Sequence, residues 1–383
     1  MIERIWRGHR NLVVAIVGIV AVLAIISAAL LVSGSSGHAY ASVSPSSSPS
    51  SSPIPTASPS PSAVALVSPS SLAPSPSQLP AGMAYSDLDG VVAPSNLAHR
   101  LPMAIMIDDY KDARPQSGFS SASIVYQAMI DESSDRYMMV FQEGTASDIG
   151  PIRSARPYYV PWAAEYKAMF GHYGGDAQVL QVMIPAMAKD IYNQDALNGG
   201  SCPYHRIDTR VGPYNAYTNT ADLISCLAPR SYPATYQGLP TRTFVDDTPV
   251  SQRPASQTVA IPYLAETIGY TYDPASDSYL RSVAGTLQID PANKKQIVAR
   301  SIVVMFQAYA IEPSLDTLRP VVTNVGSGKA IVFEEGRAIT GTWKKASNTA
   351  LTLMYDDSGK EIPLVRGEIF MQSVPIGTAV TYK

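Results

Sequence analysis

Apolar runs and polar breaks divide this chain into segments of very different character. The first is an uninterrupted apolar run over residues 12–32, which is long enough to span a bilayer. Three arginines precede it, so the positive-inside rule places the N-terminus in the cytoplasm and the rest outside. We therefore predict a cytoplasmic tip and transmembrane anchor over residues 1–41. Ala39-Tyr40-Ala41 also forms a cleavage signal, which leaves open whether the chain is cut after Ala41.

Serine, proline and alanine make up almost all of the next segment. Such a composition cannot bury enough apolar surface to fold, and proline keeps the backbone extended. Residues 42–87 are therefore predicted to be a disordered stalk that holds the folded part away from the membrane.

Mixed strand and helix patterns follow from residue 88. Residues 101–108 form a continuous apolar run typical of a buried strand. The runs 122–130 and 136–142 flank a polar turn and predict paired strands, although the first also fits a helix. The segment 160–170, which begins after Pro157, predicts a helix. Residues 88–250 are therefore expected to form a mixed α/β domain.

Strand patterns dominate the rest of the chain. From residue 257 onward, apolar alternation is broken by turn sequences such as Asp357-Ser358-Gly359. Residues 251–383 are therefore expected to form a smaller, mostly-β domain. The predicted fold class is α+β: a mixed α/β domain and then the β domain, after the membrane helix and the stalk.

The stretch 148–175 carries the densest candidate chemistry. Arg153, Ser154 and Arg156 stand just before the predicted helix, where free N–H groups and the helix dipole favour an anion. Guanidinium groups add forked donors that match carboxylate or phosphate. Arg114, Arg210 and Asn215 lie in other loops and are expected to converge on the same ligand. The alternative is that the arginines form internal salt bridges with Asp108, Asp131 or Glu132.

Three residues are candidates for acid–base catalysis: Asp108, Glu132 and His172. Asp108 closes an apolar strand, and carboxylates of this kind either transfer protons or hold calcium. His172 follows the predicted helix, where a structural, hydrogen-bonded histidine is the competing interpretation.

Composition excludes several other functions. The net charge of −3 disfavours a general nucleic-acid binder. The chain has no CxxC motif and no cysteine–histidine cluster with zinc spacing, so we expect no metal and no cofactor. In an oxidising compartment its two cysteines, Cys202 and Cys226, are expected to form a disulfide.

Several of these motifs together resemble one known family. MAIMIDDYKDARPQSG, IVYQAMIDE, DIGPIRSARPYYVPWAAEY and HYGGDAQ are similar to the N-terminal part of the YerB-like family of bacterial envelope proteins. The segments YDPASDSYLRSV, GSGKAIVFEEGRAITGTW and GKEIPLVRGEIFMQSVP resemble its C-terminal part. The resemblance implies an exported two-domain protein tethered at the membrane, and it supplies no established reaction.

The sequence is consistent with three functions. The first is an envelope binding protein whose arginine-rich cleft takes an anionic or sugar-containing ligand. The second is an envelope hydrolase that uses Asp108 or Glu132 with His172. The third is a scaffold for another envelope protein. The expected partners are the membrane, through the N-terminal helix, and a cell-wall polymer or a second envelope protein.

Overall fold

Strands dominate the part of the chain that the structure describes. The computed structural model describes residues 79–131, 134–199, 202–313, 315 and 318–383. The first strands are β1 (Met83–Tyr85), β2 (Val92–Pro94), β3 (Met103–Asp108), β4 (Ile124–Asp131), β5 (Ser134–Phe141), β6 (Met169–His172), β7 (Tyr192–Asp195), β8 (His205–Arg206), β9 (Ala216–Tyr217) and β10 (Phe244–Val245). The next are β11 (Thr258–Pro262), β12 (Thr267–Asp273), β13 (Ser278–Val283), β14 (Thr286–Leu287), β15 (Ile289–Asp290), β16 (Lys295–Gln296), β17 (Val298–Ala299) and β18 (Ser301–Gln307). The last are β19 (Tyr309–Pro313), β20 (Leu318–Val322), β21 (Gly326–Glu334), β22 (Arg337–Lys345), β23 (Leu353–Asp356), β24 (Leu364–Val365), β25 (Ile369–Pro375) and β26 (Thr381–Tyr382).

One mixed ten-stranded sheet runs through both halves of the folded region. Its order is β23-β22-β21-β18-β25-β4-β5-β3-β6-β7. The parallel pairing of β25 with β4 joins C-terminal strands to N-terminal strands. A second sheet has the order β14-β13-β12-β11-β26, with β17 also paired to β13. The predicted domain bounds, 88–250 and 251–383, stay a prediction, but the large sheet crosses both ranges.

The helices in the described part of the chain are short. The α-helices are α1 (Ser95–Ala98), α2 (Tyr159–Ala164), α3 (Ile184–Ala186) and α4 (Thr220–Ser225). A π-helical turn covers Val179–Met183, and 3-10 turns cover Lys111–Ala113, Phe119–Ser121, Ala228–Arg230 and Val250–Gln252. Asn219 caps α4, since its side chain accepts a hydrogen bond from the Asp222 N–H.

Both faces of the large sheet are buried at its central strand β3. Along β3, Ala104 and Met106 enter one apolar cluster, whereas Ile105 and Ile107 enter the other. Side chains alternate between the faces of a strand, so a strand buried on both faces must be apolar at every position. The continuous run over residues 101–108 therefore reflects a central strand of a covered sheet.

The predicted fold class is wrong. The structure is 43% strand and 13% helix, so it is mostly β and its N-terminal part is not a mixed α/β domain. The apolar segment 160–170 explains the error: α2 ends at Ala164, Lys167 has a positive φ of 48°, and the chain continues as β6. A short apolar run at a buried position does not distinguish a helix from a strand.

Several predicted segments lie outside the described residues. These are the membrane anchor over residues 12–32, residues 42–78 of the predicted stalk, and Glu132. The last part of the predicted stalk, residues 79–87, is described and contains β1. Within the described ranges, every helix falls short of the length and apolarity that a bilayer crossing requires.

Candidate functional site

Three arginines line one cavity at the ends of β3 and β5. The cavity has a volume of about 290 Å³. We call it the arginine cavity, and its lining residues are Asp108, Tyr110, Ile130, Ser134, Arg136, Arg153, Arg156 and Tyr214. The structure thus brings together three residues that sequence reasoning selected: Asp108, Arg153 and Arg156.

The sheet register places an acid and a base side by side. Asp108 is the last residue of β3, and it pairs with Arg136 of β5 in the antiparallel ladder. Opposing residues in such a ladder have their Cβ atoms about 5 Å apart. Both side chains are buried, with exposed fractions of 2% for Asp108 and 3% for Arg136. The cavity floor is therefore part of the rigid sheet.

A loop held along β3 supplies the other two arginines. The backbone N–H of Asp108 donates to the Pro151 carbonyl, and that of Arg153 donates to the Met106 carbonyl. Arg156 follows closely and is 7% exposed. The helix α2 that comes next has only six residues. The guanidinium groups, rather than a helix N-terminus, are consequently the donors that this site offers.

Positive charge is concentrated around a single described carboxylate. The Nε atom of Arg153 lies 2.9 Å from the Asp108 carboxylate, and the Nη2 atom of Arg136 lies 3.8 Å from it. Burial, and next the positive charge of Arg156, lower the pKa of Arg136 to about 9, and Asp108 offsets this only in part. The Nε atom of Arg136 is buried and has no hydrogen-bond partner among the described residues. An anion in the cavity would add negative charge near Arg136 and raise its pKa toward the usual value.

Two tyrosines form part of the wall. The rings of Tyr110 and Tyr214 stack with centroids 6.0 Å apart and planes 7° apart. The guanidinium carbon of Arg153 lies 5.9 Å from the centre of the Tyr214 ring. Tyr110 is 38% exposed, so its ring is accessible at the opening.

The remaining predicted ligand-binding residues lie around this cavity without lining it. The Ser154 carbonyl accepts a 2.6 Å hydrogen bond from Arg136. Arg210 donates to the carbonyl oxygens of Ala113 and Pro115, which fixes the loop after β3. The side-chain oxygen of Asn215 accepts from Arg206.

Arg114 belongs to a second cavity of about 220 Å³. We call this the adjoining cavity, because it shares Tyr110 and Ser134 with the arginine cavity. Its lining residues are Asp109, Tyr110, Lys111, Arg114, Ser134, Ala265 and Glu266. Arg114 forms ion pairs with both Asp109 and Glu266 there, so its charge is balanced within the fold.

His172 lies at the end of β6 and lines neither cavity. Its side chain is fully buried. The Nδ1 atom is 2.8 Å from the Gly174 carbonyl oxygen, and the Nε2 atom is 2.8 Å from the Asn193 side-chain oxygen. The Asp195 carboxylate is 3.9 Å from Nδ1. Both ring nitrogens therefore have protein partners, which is the geometry of a structural histidine.

The structure contains the disulfide between Cys202 and Cys226, with Cα atoms 5.3 Å apart. Both cysteines are about 5% exposed. The bond fastens the loop before β8 to the end of α4, and that loop continues to Tyr214 in the cavity wall.

The other cavities offer less chemistry. Within the described ranges, no group of three or more His, Cys, Asp or Glu side chains is placed to hold a metal ion. A larger cavity of about 920 Å³ lies on the C-terminal strands, where Phe306, Ile331 and Trp343 give it an apolar lining. The arginine cavity is the better candidate site because its charged groups converge on one small volume.

Arg136 lines the arginine cavity, and sequence reasoning missed it. The pattern of the sequence predicts only the first residue of a strand there, although Arg136 is a charge within an otherwise apolar run. Charged residues are almost never fully buried unless they are paired, so such a charge indicates either a partner or a site.

Comparisons with known proteins agree with the architecture. Residues 88–232 match the family model described as the N-terminal domain of a protein of unknown function, DUF3048, and residues 259–371 match the C-terminal domain of that family. The protein named "Putative lipoprotein YerB" from Bacillus subtilis (strain 168) is 26% identical over 294 residues, which are 75% of this chain and 85% of that protein. The crystal structure of YerB from Bacillus subtilis shares the fold, with a TM-score of 0.69 at 23% identity, over 78% of this chain and all but 1% of that one. This chain therefore belongs to the YerB-like family, which is built from the N- and C-terminal DUF3048 domains.

Proposed function

We propose that this chain is an extracytoplasmic envelope protein that binds an anionic group, a carboxylate or a phosphate, in the arginine cavity. The observation that carries the proposal is a shared carboxylate in the cavity lining: the guanidinium groups of Arg136 and Arg153 both face Asp108. Guanidinium groups recognise carboxylate and phosphate through paired, charge-assisted hydrogen bonds. In a buried site these bonds are stronger than they are in water.

The burial of the arginines favours a bound anion over a cavity without one. Arg136 and Arg156 are both at least nine-tenths buried, and like charges in a low-dielectric site repel one another. Burial is the main cause of the lowered pKa of Arg136, and the positive charge of Arg156 adds to it. A bound anion would add negative charge beside Arg136 and raise that pKa again.

The cavity is large enough for one charged group but too small for the whole of a large ligand. About 290 Å³ is at the lower end of the range for small-molecule sites. We therefore propose that the cavity holds the charged group of a larger molecule. The proposed source of that molecule is a cell-wall polymer or another envelope protein, because the relative from Bacillus subtilis carries a lipoprotein name and the apolar run near the N-terminus predicts export.

Binding is better supported than hydrolysis. An acid–base mechanism with His172 needs its imidazole in the cleft that holds the arginines. The ring is fully buried instead, and both nitrogens contact Gly174 and Asn193.

Isothermal titration of the full chain with inorganic phosphate and with acetate tests the proposal. Replacing Arg153 and Arg156 together by Ala is expected to weaken binding at least about 30-fold, because each charge-assisted hydrogen bond contributes about 1.5–3 kcal/mol. The matched control is Arg337→Ala with Lys360→Ala, which changes the net charge equally on exposed positions. Equal affinity in the two double variants, with both folded by thermal unfolding, would contradict the proposal.

A further inference from the structure

The adjoining cavity offers hydrogen-bonding groups rather than an excess of charge. The Nε atom of Arg114 donates to the Asp109 carboxylate at 3.0 Å, and the same guanidinium pairs with Glu266. Gln116 donates a further 2.8 Å hydrogen bond to Asp109, which fixes that carboxylate in place. The ion pairs hold these side chains in place and balance their charges, so the cavity does not favour an additional counter-ion.

The outer members of that cluster are accessible. The side chains of Arg114 and Glu266 are 23% and 30% exposed, whereas that of Asp109 is fully buried. Arg114 and Glu266 therefore present fixed donors and acceptors to whatever enters the cavity. Neutral hydroxyl groups, which both donate and accept, match such a pair.

An aromatic ring stands between the two cavities. Tyr110 lines both of them, and one face of its ring stacks on Tyr214. A tyrosine of this kind presents an apolar face together with a polar tip. The C–H face of a sugar ring is a partner that fits an exposed aromatic face beside hydrogen-bonding groups.

We infer that the two cavities form one site for an acidic saccharide, with its charged group in the arginine cavity and its ring and hydroxyl groups between Tyr110, Arg114 and Glu266. This inference rests on the proposed function and adds the class of ligand to it. The acidic group is a carboxylate or a phosphate. The hydroxyl groups of the same sugar exchange hydrogen bonds with Arg114 and Glu266.

The site uses both parts of the family architecture. Glu266 lies in the turn between β11 and β12, within the C-terminal match, whereas Tyr110 and Arg114 lie within the N-terminal match. A ligand that contacts all three residues is therefore bound by both parts of the chain. Glu266 is consequently the residue whose loss separates sugar recognition from anion recognition.

Calorimetric titration of the full chain with paired probes tests the inference. Glucuronate, galacturonate and N-acetylmuramate are each compared with acetate, and glucose 6-phosphate is compared with methyl phosphate. At least one sugar acid is expected to bind about tenfold or more tightly than its simple anion. Tyr110→Ala and Glu266→Ala are each expected to reduce that ratio to about threefold or less, because each removes a proposed contact with the sugar. The ratio is the quantity compared because it cancels general charge effects. Tyr382→Ala, at an exposed tyrosine, is the control that leaves the ratio unchanged.

The outcomes separate the two proposals. If every sugar acid binds as weakly as its simple anion, or if both variants keep the full ratio, the saccharide inference is overturned and the anion site stands. If neither simple anions nor sugar acids bind, the proposed function itself fails.

Discussion

Asp108 and Arg153 form a contact of 2.9 Å at the end of β3, where the Arg153 side chain is 32% exposed and the Asp108 side chain is 3% exposed. The same carboxylate also faces Arg136, so one buried acid serves two guanidinium groups. This sharing holds Arg136 and Arg153 in place and gives the two guanidinium groups one described carboxylate between them. The chemistry of the site follows from that imbalance.

Replacing Asp108 by Asn tests the imbalance. Removing one partner of a buried ion pair leaves the other charge uncompensated, so we expect the free energy of unfolding to fall by about 3 kcal/mol. The same change should strengthen phosphate binding several-fold, since the competing carboxylate is gone. Urea denaturation and titration measure the two effects. Asp112→Asn, at an exposed position, is the control, and unchanged stability in Asp108→Asn would contradict the account.

His172 is expected to support the fold and not the site. His172→Ala deletes a buried ring that contacts Gly174 and Asn193, which should cost about 3 kcal/mol of unfolding free energy. Phosphate affinity at low temperature should stay within about twofold of wild type, a difference of only some 0.4 kcal/mol. A folded His172→Ala protein that no longer binds phosphate would return His172 to the binding site and favour the hydrolase hypothesis.

The raised pKa of Asp89 predicts how the free energy of unfolding depends on pH. Burial and the nearby Glu143 raise its pKa to about 7, above the value of 3.8 that it has when unfolded. The native state therefore holds a proton that the unfolded state releases, so this contribution is complete below about pH 4 and is lost as the pH rises through about 7. Between pH 5 and pH 8 it should amount to about 3 kcal/mol. Denaturation at both pH values measures it.

The control for this prediction is the variant Asp89→Asn. The quantity compared is the change in the free energy of unfolding between pH 5 and pH 8. Asp89→Asn removes the titration, so its free energy of unfolding should decline less between pH 5 and pH 8 than that of wild type. Glu334, whose pKa burial also raises to about 7, accounts for part of the slope that remains. Equal slopes in the two proteins would rule out Asp89 as a source.

Reduction of the disulfide is expected to lower the free energy of unfolding. Its cysteines are 24 residues apart, and closing a loop of that length stabilises a fold by about 3 kcal/mol on a chain-entropy estimate. The double variant Cys202→Ala with Cys226→Ala should lose about that much. Because the loop continues to Tyr214, phosphate affinity should fall modestly as well. Wild type treated with a reductant is the comparison, and a double variant as stable as the oxidised protein would contradict the estimate.

The strands near the site were predictable because they follow simple patterns. The apolar run at 101–108 is β3, and the two runs around the polar turn at 131–135 are the antiparallel pair β4 and β5. The segment 160–170 was not predictable in the same way. Its apolar residues suit a helix and a buried strand equally, and only the sheet around it decides that Met169–His172 is a strand.

The arginines illustrate the same limit at the site. Arg153 and Arg156 could be selected from their loop, beside proline and glycine. Their neighbour Arg136 comes from another strand, and only the register of β3 with β5 sets it beside Asp108. Conversely, Arg114 looked equivalent in sequence, and its balancing partner Glu266 is 152 residues away. Long-range pairing of this kind leaves no local signal.

The most direct measurement is a crystal structure of the protein grown or soaked with tungstate, an anion whose anomalous scattering identifies it. We expect an anomalous peak in the arginine cavity, with oxygen atoms about 2.7–2.9 Å from guanidinium nitrogens of Arg136, Arg153 or Arg156. A cavity that holds only water while tungstate occupies other sites would contradict it.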